Sequence, residues 1–132
     1  LKPKTTSKKI SKKKAVKSKD QKSTLKTIIK VLEEKKSKDI CILDLEDIHS
    51  YLSIFVICTV ESHVQARAIA RDLEKKLKEL KLGGRGNQEK KAQDNGWILL
   101  DLGEIIVHIM TEDKRRFYDL EKLWGDAKFI QV

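Results

Sequence analysis

Apolar residues recur along this chain with two periods, and the period changes at readable points. Leu25, Ile28, Ile29 and Leu32 fall at i, i+3, i+4 and i+7, one face of a helix predicted over 24–36. Ser23 or Thr24 serves as its cap, and Lys35 and Lys36 suit the negative end of its dipole. The run 40–45 then reads as a strand buried on both faces, and 54–60 as a second strand, joined by a polar connection that includes Tyr51. Ser62 opens the clearest helix, with Ser62 and Gln65 in capping-box spacing. Ala66, Ile69, Ala70, Leu73, Leu77 and Leu80 form its buried stripe, and Arg67, Arg71, Lys75 and Lys78 its outward face. Gly83, Gly84 and Gly86 end it, and a polar stretch follows.

Two apolar runs, 97–102 and 104–110, flank Gly103 and predict a β-hairpin. Alternation puts Trp97, Leu99 and Asp101 on one face and Ile98, Leu100 and Leu102 on the other. Both faces are apolar, so the hairpin needs its own helices on one side and another cover on the other: a helix, a twin subunit or a partner. An amphipathic stretch over 115–124 closes the pattern, with Gly125 as its C-cap. The order α-β-β-α-β-β-α predicts a mixed sheet flanked by helices, of α/β or α+β class.

Charge changes the picture at one end only. The chain has 132 residues and a net charge of +9, but residues 1–23 contain ten lysines and one acid, whereas 24–132 balance 19 basic against 19 acidic residues. The division predicts a disordered lysine-rich tail over 1–23 and one folded domain over 24–132. Lys12, Lys13 and Lys14 make the densest cluster of the tail, which reads as a solubilising extension or as a salt-sensitive phosphate grip on RNA. No aromatic residue interleaves these lysines, so base stacking is not expected there. The first residue is Leu rather than Met, so the chain reads as processed, trimmed or incomplete.

No apolar run approaches the ~20 residues of a membrane helix, so no membrane is expected. Cys41 and Cys58 read as small buried hydrophobes of a reducing compartment rather than as a disulfide or zinc pair. His49, His63 and His108 have no ligand spacing, and His108, inside a strand, reads as a hydrogen-bonded structural residue. Asp44 and Glu46 alternate as metal-binding carboxylates do in nucleotide-transferring enzymes. The Gly-Ser phosphate turn such an enzyme needs is missing before them. No nucleophile motif, metal site or cofactor motif emerges, and the chain reads as a binding module, not an enzyme.

The segment from Trp97 through Asp101, Gly103 and Glu104 to His108, followed by Arg116, Phe117, Tyr118, Leu120, Glu121, Leu123, Trp124, Gly125, Asp126 and Ala127, resembles the ribosomal silencing factor family, also called Iojap-like. Upstream, Asp39 to Leu45, Phe55 to Thr59, and the helix carrying Gln65, Arg67 and Ile69 match as well, so the resemblance spans about Leu25 to Ala127. The segment before the second strand, Leu52-Ser53-Ile54-Phe55, and the loop before Trp97 depart from the family pattern, and the lysine-rich tail is not a general family feature.

The resemblance implies a nucleotidyltransferase-like fold without catalytic residues, and no cofactor. It implies docking on the large ribosomal subunit through ribosomal protein fourteen of that subunit, a steric block of subunit joining, and repression of translation when nutrients are scarce. Homodimers occur in the family, and organelle relatives act in ribosome assembly, so a bacterial cytoplasm is expected, with an organelle as the alternative. It points to Trp97, Leu99, Asp101, Leu102 and Tyr118 as partner-binding residues. The competing expectation is an RNA-binding or assembly module that works through Lys12, Lys13, Lys14 and the helix face of Arg67, Arg71, Lys75 and Lys78.

Overall fold

The computed structural model describes residues 21–48, 54–80 and 96–130. A helix, α1, runs over 21–34, followed by β1 (Lys38–Asp44), β2 (Ile54–Val60), α2 (His63–Glu79), β3 (Trp97–Asp101), β4 (Ile105–Thr111), α3 (Glu112–Tyr118), α4 (Leu120–Leu123) and β5 (Lys128–Ile130). The five strands form one sheet in the order β3-β4-β2-β1-β5. Only β2 and β4 pair in parallel; the other three pairings are antiparallel. This is the mixed sheet flanked by helices that the pattern predicts, of α+β type.

Strand alternation sorts the sheet into two faces. Ile42, Val56, Cys58, Ile98, Leu100, Val107 and Ile109 point to one side and pack with Leu25, Ile28 and Leu32 of α1 and Ala66, Ile69, Leu73 and Leu77 of α2. The other face carries Leu43, Phe55, Ile57 and Met110, covered by Leu120, Ala127 and Trp124 from the short elements at the chain's end. Every residue of β2 is buried, as expected for a strand that both layers cover.

Local chemistry accounts for the ends of the long helices. Ser62 Oγ accepts the Gln65 N–H at 3.1 Å, half of the expected capping box. Gln65 Oε1 reaches one residue further back than expected, to the Glu61 N–H at 2.8 Å, and its amide nitrogen donates to Lys35 O at 3.0 Å, tying α2 to the end of α1. At that end Ser37 N–H bonds Leu32 O and Lys36 N–H bonds Glu33 O, both at 3.0 Å, with Lys36 at φ 60°: a Schellman motif with lysine where glycine is favoured.

Several expectations are corrected. Residues 21–23 are already helical, so α1 begins upstream of the predicted start and Ser23 and Thr24 lie inside it rather than capping it. Gln21 Nε2 donates to Glu104 Oε1 at 2.8 Å, a contact between positions 83 residues apart that no local pattern shows. Helix α1 ends at residue 34, with Lys35 and Lys36 in the turn beyond it. Leu80 is exposed beyond the stripe of α2. Cys58 is buried as expected, but Cys41 is only partly so. The amphipathic stretch at the end is two helices, broken at Asp119, whose φ is 44°, and Trp124 rather than Gly125 is the C-cap of α4. β5 was not anticipated. The tail lysines up to Lys19, Tyr51, the glycine cluster at 83–86 and the polar stretch after it lie outside the described residues, apart from Gly96, whereas Lys22, within the predicted disordered tail, lies in α1.

A β-carbon at φ 60° is strained, and glycine relieves the strain. Lys36→Gly is therefore expected to stabilise the protein by about 0.5 kcal/mol or more. The check is a higher urea midpoint with an unchanged m-value.

Candidate functional site: an aromatic face on the sheet

Among the described residues, the sheet face away from the long helices is only thinly covered at its β3 side. β3 and β4 pair with Trp97 opposite Met110, Leu99 opposite His108 and Asp101 opposite Ile106, which places all six on this face. Gly103, at φ 99°, makes the turn, and Asp101 Oδ1 accepts its N–H at 3.0 Å. At the other end of β3, Gly96 at φ 95° brings its backbone against Thr111. A β-carbon there would stand 2.7 Å from Thr111 Oγ1, so the approach that delivers Trp97 to the sheet needs glycine.

Rings run across this face in an unbroken series. Phe117 packs edge-on against Tyr118, with centroids 4.8 Å apart, and Tyr118 packs on Trp97 at the same separation. Trp97 lies 5.9 Å from His108, His108 is 4.5 Å from Phe55, and Phe55 is 5.9 Å from Trp124. Exposure falls along the series as far as His108 and Phe55, and Trp124 at its end is partly buried. Phe117 is 77% exposed and Tyr118 45%, Trp97 is half-buried, and His108 and Phe55 are buried. Leu99 adds a 39% exposed aliphatic group on the same face, and Leu123 of α4 is 68% exposed.

Two polar devices hold this arrangement. Arg115, on α3, donates to Thr59 Oγ1 at 2.8 Å, to the Asp39 carbonyl and to the Glu121 carboxylate, so one guanidinium ties α3 to β1, β2 and α4. The Trp97 indole Nε1–H donates to His108 Nδ1 at 3.1 Å. The imidazole proton therefore resides on Nε2, which is buried without a hydrogen-bond partner among the described residues. Burial alone pushes the His108 pKa down to about 4 from 6.5.

Alternation put Trp97, Leu99 and Asp101 on one face, and the structure brings them there together with Tyr118, the other partner-binding candidate on this side. Trp97 is less accessible than a free anchor, because its N–H is already engaged. Leu102 is corrected: it is 7% exposed and packs in the core beneath the long helices, out of reach of a partner on the aromatic face. Phe117 and Leu123 were missed as surface candidates, although an aromatic residue beside the arginines of an amphipathic stretch was a usable signal. Arg67 and Arg71 are exposed on α2, which packs on the opposite face of the sheet, and Lys12, Lys13 and Lys14 lie outside the described residues. Asp44 Oδ1 accepts the Glu46 N–H at 3.0 Å, closing the turn after β1, and no cluster able to hold a metal ion occurs among the described residues.

The helix-backed sheet thus presents aromatic and aliphatic side chains on its less covered face. Comparison with known proteins identifies the family. Residues 18–132 match the family described as "Ribosomal silencing factor during starvation". The chain is 40% identical over 116 residues to the ribosomal silencing factor RsfS of Bacillus subtilis, covering 86% of this chain and 94% of that protein. A crystal structure of a Chromobacterium violaceum protein superposes with a TM-score of 0.71 at 34% identity, covering 79% of this chain and 85% of that one. The mouse protein named "Mitochondrial assembly of ribosomal large subunit protein 1" is 28% identical over 103 residues, covering 77% of this chain and 45% of that protein. The chain belongs to the ribosomal silencing factor family.

The depressed pKa of His108 gives a pH dependence with a definite sign. Between about 4 and 6.5 an unfolded histidine holds a proton that the folded one does not. Stability is therefore lost as pH falls from about 6.5 towards 4, by up to about 1.4 kcal/mol per pH unit. His108→Leu is expected to abolish the part of this slope above pH 5, where carboxylates titrate little. Urea midpoints of parent and variant at pH 7 and pH 5 measure it.

Proposed function

We propose that this protein docks on the large ribosomal subunit through the aromatic face, with ribosomal protein fourteen of that subunit as the contact, and that the bound protein sterically prevents the small subunit from joining. Translation is repressed as a result. The observation that carries the reading is the concentration of exposed apolar side chains, Leu99, Phe117 and Tyr118, around a half-buried tryptophan on the one sheet face that no long helix covers. Surface patches of this kind mark interaction sites, and aromatic anchors dominate interface energies. A blocking mechanism needs affinity and position but no chemistry, which suits a face without reactive groups. The names of the relatives support the ribosome as the setting, and the mouse protein's name supports the large subunit. A bacterial cytoplasm is the proposed location, with an organelle as the alternative, and a second copy of the chain is the proposed occupant of the same face when no ribosome is bound.

A second reading is favoured by the exposed stripe of Arg67, Arg71, Lys75 and Lys78 on α2, together with Lys12, Lys13 and Lys14: contact with ribosomal RNA through phosphate. The two readings differ in their response to salt and to substitution. Phe117→Ala and Leu99→Asp change exposed side chains and are expected to leave the fold intact. Each is expected to weaken binding to isolated large subunits at least tenfold, a loss of about 1.4 kcal/mol or more. Arg67→Glu with Arg71→Glu is expected to change affinity less than threefold at a salt concentration that screens surface charge. Affinities unchanged by Phe117→Ala and Leu99→Asp, with a large loss in the arginine double variant, contradict docking through the aromatic face and favour the RNA reading.

A further inference from the structure

Among the described residues His108 is the one buried titratable side chain on the aromatic face, and its surroundings explain only half of its chemistry. Nδ1 accepts the Trp97 indole N–H at 3.1 Å, while Nε2 is buried without a partner. An unpaired buried donor destabilises, and an aliphatic side chain of similar bulk would occupy the site without one. What histidine supplies here, and an aliphatic residue does not, is the acceptor for the indole.

The strand register shows why that acceptor matters. Trp97 pairs with Met110 and Leu99 with His108, so Trp97 and His108 are diagonal neighbours across an antiparallel pair, close enough for long side chains to meet. The ring of His108 is in turn held edge-on against Phe55, in the fully buried β2. The fixed imidazole thus sets the plane of the indole, and the indole is the seat on which the half-exposed Tyr118 packs, with Phe117 against it. Removing the acceptor leaves the indole N–H unpaired beside an apolar group and frees it to swing towards water.

Resting on the docking role proposed above, we propose that His108 is a positioning residue of the docking face: by accepting the Trp97 N–H it holds the Trp97, Tyr118 and Phe117 rings in their binding arrangement before the partner arrives. Side chains ordered in advance lose less freedom on association. His108 touches no partner itself, since it is buried beneath the rings it orders.

The test uses the full chain, labelled with 15N, and isolated large ribosomal subunits. Trp124→Phe assigns the two indole N–H resonances. In His108→Leu the acceptor is gone. In His108→Asn the side-chain oxygen stands two bonds from Cβ, as Nδ1 does, and can take the indole proton. The Trp97 indole proton is expected to exchange slowly in the parent and in His108→Asn and rapidly in His108→Leu. Affinity for the large subunit is expected to fall about tenfold in His108→Leu and less than threefold in His108→Asn. Equal losses in the two variants, or parent affinity in His108→Leu despite rapid indole exchange while Phe117→Ala still weakens binding, overturn the positioning role and leave the docking face standing. Parent affinity in both His108→Leu and Phe117→Ala overturns the docking face, and the positioning role with it. If His108→Leu does not fold, His108→Val removes the acceptor with a side chain suited to a strand, and the same comparisons decide.

Discussion

The fold depends on an asymmetry of cover. A sheet has two faces, and among the described residues the two long helices both pack on one of them, leaving the other to seven-residue α3, four-residue α4 and the turn that follows. The side under α1 and α2 is a well-filled core of branched aliphatic residues, which holds the strands in register. The other side has too little backbone to finish the task and completes its cover with rings, graded from the buried Phe55 to the exposed Phe117. A face closed by side chains rather than by a helix is apolar, accessible and shaped by a few contacts. Those properties suit recognition, and they leave the face sensitive to whatever fixes the orientation of each ring.

Two polar groups fix it. Arg115 binds α3 and α4 to the sheet from one side, and its partners are a backbone carbonyl, a hydroxyl and a carboxylate, so its charge is matched by Glu121 and both N–H groups of Nη1 are used. His108 acts from beneath, through one nitrogen. Neither is a surface ring: His108 is buried against Phe55 and Trp97, and the Arg115 side chain is 14% exposed. The surface residues are thus the visible part of a supported structure, and substitutions at Arg115 or His108 act on the face without being part of it.

Much of this was legible in the chain itself. Ser62 and Gln65 announced α2, the alternation over 97–101 sorted Trp97, Leu99 and Asp101 from Ile98 and Leu100, and the demand for a second cover over the hairpin followed from two apolar faces. What escaped depends on contacts between distant positions. Gln21 extends α1 because it meets Glu104. Asp119 adopts a left-handed conformation where α3 gives way to α4, with Arg115 pairing to Glu121 across the break, and no glycine marks it. β5 has three residues and pairs only with β1, too short for an alternation to show. Leu102 was placed correctly by parity, on the face of Ile98 and Leu100, but the cover of that face by helices removed it from the surface. His108 was read correctly as hydrogen-bonded, yet its partner depends on the strand register, which the hairpin turn sets.

We propose that the aromatic face docks on the large ribosomal subunit so as to exclude the small one. The most direct measurement mixes separated subunits under joining conditions, after preincubating the large subunit with saturating full-length protein, and resolves the products on a sucrose gradient. The account predicts loss of the joined ribosome peak, with the protein migrating with the large subunit, and recovery of that peak when the protein carries Leu99→Asp. Undiminished joining with the parent protein bound at saturation would contradict it.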